Sequence, residues 1–361
     1  MCKELKFITC IPDEIRFQWE VKSYLFSLRE FEYSQLTEIL IYQNFSNSKN
    51  DFSPFWYELQ DEYKEVKFFF YKDVDNFERL MRLFNYAPLS RLYMLCKHFE
   101  AYPNLSKNAV FYTDSDIIFL KKIDFTPFLK DDICYLSDTK TYINADYFDS
   151  KIKDVREDKL LEYKKRDILN EVVEFAGINR DVCVKNNNKS GGAQYLLKNI
   201  DSSFWNKVLL DCLSIKTHLS NVNQEFIKGD TPQDRENNGT QIWCSDMFSL
   251  LWNLWGRGLE TECPIELNFH WATDKIVENG FAILHNAGVT GEEKIRATQD
   301  NKSIKDESGL SILIEAPAFF KNKYNKNFPE REELIKITEN NISKKFYTSV
   351  YSEHLLKSIF K

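Results

Sequence analysis

Val110-Phe-Tyr-Thr-Asp-Ser-Asp-Ile-Ile-Phe-Leu120 is the stretch on which the reading of this chain turns. An apolar, aromatic run ends at Tyr112 and delivers two carboxylates, Asp114 and Asp116, one residue apart. Alternation along an extended backbone puts those two on the same side and turns Ser115 away. Two carboxylates so close repel when both are ionised, unless a cation sits between or beside them. Mg²⁺ and Mn²⁺ favour oxygen ligands and keep positions open for substrate phosphates. The pair therefore reads as a metal clamp that presents a diphosphate. Apolar residues on both flanks (Phe111, Ile117, Ile118, Phe119) enclose it, as they would not enclose a plain surface turn.

Upstream, three further apolar runs precede this one. Residues 5–11, 37–42 and 66–71 read as strands, rich in β-branched and aromatic side chains. Between them lie stretches of helical spacing: 15–36, with Phe17, Val21, Leu25 and Leu28 in phase, and the shorter 55–63 and 77–83. Residues 89–99 form another, opened by Pro88, and residues 109–112 make the fourth strand. Strands that alternate with helices imply an α/β fold with a mainly parallel, Rossmann-like sheet covered by helices on both faces. Ligands of such sheets lie beyond the carboxyl ends of the strands, which directs attention to the residues after Ile11, Tyr42, Tyr71 and Tyr112.

Downstream, residues 151–189 are rich in Lys, Glu, Asp and Arg, with Leu160, Ile168 and Val172 at helical spacing; they read as a helical insertion with one solvated face. Residues 191–255 turn apolar again, with Trp205, Trp243, Trp252 and Trp255, and the polar segment 225–239 around Pro232 reads as a loop. From residue 291 the chain is polar for some twenty residues, followed by a Lys-, Asn- and Glu-rich tail. We expect a catalytic domain over 1–290 and a polar, helical C-terminal extension over 291–361.

The chain has 361 residues, 43% hydrophobic, 15% aromatic and 29% charged, with a formal net charge of -7. That composition excludes a disordered chain, and the acidic balance excludes a general nucleic-acid binder, whose phosphate contacts need an excess of Lys and Arg. Eight cysteines occur (Cys2, Cys10, Cys96, Cys134, Cys183, Cys212, Cys244, Cys263), none spaced C-x-x-C, so a zinc ribbon or a thioredoxin-like pair is not expected. They sit in apolar runs, as reduced, buried thiols do. With no signal-like segment at the start and no apolar stretch of 18 residues, the expected location is cytoplasmic, with the Lys-rich tail (321–326, Lys344-Lys345) as a means of peripheral membrane contact.

The Asp114-Ser-Asp116 element in this setting resembles the D-x-D motif of GT-A fold glycosyltransferases, over roughly residues 5–288, and is most like the retaining enzymes of the family 8 type. Phe17-Gln-Trp-Glu20 is weakly similar to the plant peptide hydroxyproline arabinosyltransferases and their relatives. The resemblance implies Mn²⁺ (or Mg²⁺) held by Asp114 and Asp116, and a nucleotide-diphosphate sugar, most simply a UDP-sugar, as donor. It extends to Phe281-Ala-Ile-Leu-His285, similar to the late strand whose histidine supplies a third metal ligand. Ser190-Gly-Gly-Ala-Gln194 is similar to the small-residue strand start against which the sugar sits, and places Gly191, Gly192 and Gln194 at the donor. Thr240-Gln-Ile-Trp-Cys-Ser-Asp246 is similar to the helix start that carries an acidic residue near the sugar, with Asp246 as the candidate and Gln241 nearby; in a retaining transfer the resemblance puts Asp246 or Gln194 on the reacting face, as the catalytic candidates.

In the resemblance, a basic residue on the helix before the D-x-D strand can reach the donor, which makes Arg91 a candidate; a guanidinium suits phosphate geometry. The loop 12–16, from Pro12, is placed to cradle base and ribose. Each of these has an ordinary structural reading beside it: a turn glycine, a helix-capping aspartate, a core histidine, a surface arginine. Trp255 and His270-Trp271 read equally as an acceptor shelf or as core. The chain departs from the family pattern with its long insertion, with Lys189-Ser-Gly-Gly192 for Asn-Ser-Gly, and with Cys244-Ser-Asp246 for Asp-Gln-Asp, which leaves donor sugar and stereochemistry open. A sugar nucleotidyltransferase is a second reading, disfavoured because Thr9-Cys-Ile-Pro-Asp-Glu14 lacks that class's glycine-rich loop. A non-catalytic carbohydrate-binding module on the same fold is a third.

Overall fold

The computed structural model describes residues 3–43, 51–72, 86–286 and 323–360. The expected helix over 77–83 and the polar stretch from 291 lie outside the described residues. The fold is α/β. A mostly parallel sheet of seven strands has the order β3-β2-β1-β4-β7-β6-β8, with β1 Leu5–Pro12, β2 Thr37–Gln43, β3 Lys67–Lys72, β4 Ala109–Tyr112, β6 Cys134–Asp138, β7 Gly191–Leu197 and β8 Thr261–Glu262. β1 pairs with β2 and β2 with β3, both parallel; β6 pairs antiparallel with β7 and parallel with β8. All seven residues of β2 are buried, the near-continuous apolar run expected of a strand covered on both faces. A second sheet has the order β5-β10-β9, built from Ile117–Phe119 (β5), Phe269–Trp271 (β9) and Ile283–His285 (β10).

The chain divides into two compact units, each discontinuous in sequence. One comprises residues 6–73, 111–125 and 265–361. It holds α1 (Ile15–Glu30) and α2 (Pro54–Glu62), together with two C-terminal helices, Arg331–Ile342 and Tyr347–Ile359. Trp19 of α1, Ile118 of β5, Leu284 of β10, and Leu334, Ile337, Tyr351 and Leu355 of the two terminal helices share one buried cluster. The indole of Trp19 donates to the Tyr324 carbonyl at 3.2 Å. The C-terminal helices thus complete the core behind the strands that carry Asp116 and His285.

The other unit comprises residues 1–5, 74–110 and 126–264. Its centre is α4 (Ser202–Phe226), packed on α3 (Pro88–Ala101) and on α6 (Ser245–Gly256). Trp205, Val208, Cys212, Ile215, Leu219, Val222 and Phe226 recur at helical spacing and are buried. Asp201 caps α4 by accepting from the Phe204 amide at 2.8 Å.

The segment 225–239, expected as a loop, is not one: α4 runs to Phe226 and α5 covers Pro232–Asn238. The physical reason is end chemistry rather than apolar patterning. Thr231 Oγ1 accepts from the Asp234 amide (3.1 Å), Asp234 Oδ2 accepts from the Thr231 amide (2.9 Å), and Pro232 opens the first turn. Glu236 then accepts from Asn223 of α4 at 2.9 Å, which docks the polar helix. Across 151–189 the chain forms a string of short helical turns, capped by Asp167 and Asn179. Ile168 and Val172 are buried and Leu161 and Val184 exposed.

Candidate metal centre

β4 ends at Tyr112, and the next residue is locked in place. The Thr113 amide donates to the Ile8 carbonyl (3.2 Å), its carbonyl accepts from Thr9 Oγ1 (2.8 Å), and its hydroxyl donates to the Tyr24 phenol (3.1 Å). Beyond this anchor come Asp114, Ser115 and Asp116, and then β5. β5 pairs antiparallel with β10 so that Ile117 stands opposite His285, and the Asn286 amide donates to the Asp116 carbonyl at 2.9 Å. That register brings three side chains together. His285 Nε2 lies 3.2 Å from Asp116 Oδ1 and 4.0 Å from Asp114 Oδ2. One ligand atom from each of Asp114, Asp116 and His285 lies within 4.8 Å of the others.

Asp116 and His285 are buried, whereas the Asp114 side chain keeps 29% of its exposure and opens the cluster to solvent. Phe269 and Trp271 of β9 flank the imidazole, with ring centroids 5.4 and 4.9 Å away. Two carboxylates and one imidazole are a donor set that fits Mn²⁺ or Mg²⁺, with His285 and Asp116 in closest approach and Asp114 farther out.

The chain turns at Ser115 and Asp116 rather than running on as extended strand, and Ser115 Oγ donates to Glu20 Oε2 of α1 at 2.8 Å. Glu20 is 1% exposed and its Oε1 lies 3.4 Å from Arg16 Nε. Tyr351, from the last helix, is wholly buried beside this layer, and its hydroxyl meets the Asn286 side chain. Burial, together with the charges of Glu20 and Asp116, holds the Tyr351 phenol well above its ordinary pKa, so it stays protonated.

In the same unit, Pro12 ends β1 and Asp13 follows. Asp13 accepts from Trp56 Nε1 (2.6 Å), Gln43 Nε2 (3.2 Å) and the Ser53 amide (3.2 Å). It lines a cavity of about 580 Å³ with Glu14, Gln18, Gln43, Ser53 and Lys326. Burial raises the pKa of Glu14 there, against the lowering effect of Arg16. His270 is taken up by the protein itself. Its Nε2 accepts from the Phe281 amide at 2.8 Å, and its ring stacks on Phe281 and Tyr347.

The remaining sequence candidates lie in the other unit. Asp246, in the first turn of α6, forms an ion pair with Arg91 and accepts from the Tyr86 hydroxyl at 2.8 Å; that hydroxyl also reaches the Trp243 carbonyl at 2.7 Å. Arg91 and Asp246, far apart in sequence, are therefore partners. Gln194 is fully buried and accepts from Ser137 Oγ at 2.6 Å. A Cβ at Gly191 would meet the Ser137 carbonyl at 2.5 Å, so packing against backbone requires that glycine, whereas one at Gly192 would meet the end of the flexible Met247 side chain at 2.4 Å. Trp255 is buried and donates to Thr261 Oγ1 at 2.9 Å, and Gln241 is buried with its amide bonded to the Tyr147 hydroxyl.

No protein-family profile matches the chain, and no curated protein matches it. Solved structures do. One is a mannosyltransferase from Pyrobaculum calidifontis in complex with GDP-Man and Mn²⁺, at 10% identity and a TM-score of 0.34, over 100% of this chain and 87% of that one. A similarity this distant assigns neither donor nor acceptor; the geometry of the chain's own residues is what bears on function.

Sequence reasoning missed Glu20 and Tyr351. Glu20 was in view within Phe17-Gln-Trp-Glu20, but a lone carboxylate on a helix reads as solvent-facing. In fact α1 buries Gln18, Trp19, Glu20, Val21, Ser23, Tyr24 and Leu25 together. Tyr351 lies 235 positions beyond Asp116 in sequence, and no local pattern links the two.

Proposed function

We propose that the chain is a metal-dependent glycosyltransferase of GT-A type. In this reading it moves a sugar from a nucleotide-diphosphate sugar, a UDP-sugar, to a hydroxyl of a glycan or another acceptor. The observation that supports the reading is the convergence of Asp114, Asp116 and His285 at the carboxyl end of β4. Mn²⁺ or Mg²⁺ held by these three would supply Lewis-acid stabilisation of the departing diphosphate.

The protein's residues supply the rest. Asp116 and His285, buried and fixed by the β5–β10 register, hold their positions without reorganising, while the partly open Asp114 leaves room for phosphate oxygens. The cavity beside Pro12 and Asp13 is assigned to base and ribose, with Asp13 and Gln43 as polar partners.

The test is a panel of UDP- and GDP-sugars with and without Mn²⁺, read by thermal shift and by release of the nucleotide. We expect Mn²⁺-dependent stabilisation by a UDP-sugar and release of UDP, both lost in Asp116→Ala at unchanged circular dichroism. Unchanged turnover in the folded Asp116→Ala protein would remove the metal assignment. Stabilisation without nucleotide release under any acceptor would favour a binding module.

A further inference from the structure

Glu20 is a carboxylate buried to 1% exposure on a helix whose neighbouring positions face the core. A charge in such a place costs stability unless it is paired and hydrogen-bonded, and an apolar residue of similar size is often the more stable choice. What Glu20 contacts is therefore informative. Its Oε2 accepts from the hydroxyl of Ser115, the residue between the two candidate metal-binding aspartates, and its Oε1 faces Arg16 one turn earlier on the same helix. Trp19, next to it in sequence, packs in the cluster that includes Ile118 and Leu284, the cores of the two strands that carry the triad. α1 is thus fixed to these strands by packing, and to the Asp114-Ser-Asp116 turn by a hydrogen bond to its middle residue.

We propose that Glu20 is a positioning residue for the metal centre: through the Ser115 hydroxyl it sets the rotation of the D-x-D turn, so that both aspartate side chains face His285. The inference rests on the metal-site reading given above. Ser115 lies in the turn between β4 and β5, with one of the paired aspartates on each side of it in sequence, so holding its hydroxyl on Glu20 restrains the turn from which both carboxylates project. Glu20 is not itself one of the converging groups, since the cluster among the described residues is Asp114, Asp116 and His285. Partners of this outer kind orient metal ligands, and their loss typically weakens metal binding about 10–100-fold.

The experiment uses the full chain and Mn²⁺ alone, with free Mn²⁺ counted by electron paramagnetic resonance and folding followed by metal-free thermal melts. Ser115→Ala and Glu20→Ala are each expected to bind Mn²⁺ about 10–100-fold more weakly than wild type. The double variant should be no weaker than either single one, because both remove the same link. Glu20→Gln keeps an oxygen that accepts from Ser115 and is expected to bind within about threefold of wild type. Ser115→Ala deletes one hydroxyl and keeps the backbone, so it reports even where Glu20→Ala does not fold. Wild-type affinity in Ser115→Ala would overturn the inference, and so would a Glu20→Gln loss as deep as that of Ser115→Ala. If wild type does not bind Mn²⁺, or Asp116→Ala binds it equally well, the metal-site reading itself falls and this inference with it; that result is distinct from wild-type binding that the Ser115 and Glu20 variants leave unchanged.

Discussion

Three buried carboxylates of this protein have different charge surroundings, and the differences bear on their roles. Asp246 has Arg91 and the Tyr86 hydroxyl beside it, so its charge is offset within the protein. Glu20 has Ser115 and Arg16. Asp116 has an imidazole and a second carboxylate, Asp114, a surplus of negative charge that favours a cation. Removing the Asp246 carboxylate leaves Arg91 and Tyr86 facing an apolar gap. We expect Asp246→Ala to lower stability by about 2–3 kcal/mol, below the full figure for a buried pair because the Arg91 side chain keeps 24% of its exposure. Asp246→Asn, which keeps an acceptor for Tyr86, should cost less. Urea unfolding followed by circular dichroism measures both, and equal stability of Asp246→Ala and wild type would contradict the role given to the pair. At this scale Asp114, Asp116 and His285 were legible because each closes or opens an apolar strand. The Arg91–Asp246 pair was visible only as two unconnected charges, 155 positions apart.

Among the elements, the last helix, Tyr347–Ile359, carries the most that was not visible in advance. The sequence shows a Lys-, Asn- and Glu-rich tail with two amphipathic pieces, and nothing local says what their apolar faces cover. Yet Tyr351 and Leu355 are fully buried, and His354 Nε2 lies 3.0 Å from the Ser23 carbonyl of α1, its ring against Phe26. Burial lowers the His354 pKa, outweighing the Ser23 carbonyl and Glu30, which raise it, with Lys357 acting in the same direction as burial. His270 is lowered too, first by burial, with Lys121 assisting and Asp274 opposing.

A histidine whose folded pKa lies below its unfolded value, about 6.5, takes up its proton more readily in the unfolded chain. Its contribution to stability is then present above about pH 6.5 and is lost as pH falls through the folded value. Melting temperature should therefore fall on acidification from pH 7.5 to 5.5, and His354→Gln should flatten part of that slope. A slope in His354→Gln identical to wild type would show that the helix does not respond to His354. α5 was missed for a different reason: its stability comes from the Thr231–Asp234 capping box and from Glu236, signals a hydrophobic period does not register.

For the whole molecule, the net charge of -7 is compatible with a phosphate-bearing ligand once a divalent ion bridges the two, and no described helix is long and apolar enough to cross a membrane. The Asp-Asp-His cluster lies entirely within one of the two compact units. Mn²⁺ at about 100 times its dissociation constant should stabilise the unit that holds the cluster by about 2.7 kcal/mol. Calorimetry should show one unfolding transition moving up with Mn²⁺ and returning with chelator, and the shift should vanish in Asp116→Ala. An equal shift in Asp116→Ala would place the ion elsewhere.

The strand–helix alternation of the first third, the paired carboxylates at the end of β4 and a histidine at the end of a late strand follow from local order alone: period, chain direction and neighbouring residue types specify them. The pairing of β10 with β5, in the register that sets His285 against Asp116, comes from the folded chain instead. The fold alone placed Glu20 inside rather than in water, made partners of Arg91 and Asp246, and packed the last helix behind the candidate metal centre. Those facts depend on which distant surfaces bury one another, and that is settled by the shape and packing of the assembled core, not by any window of the chain.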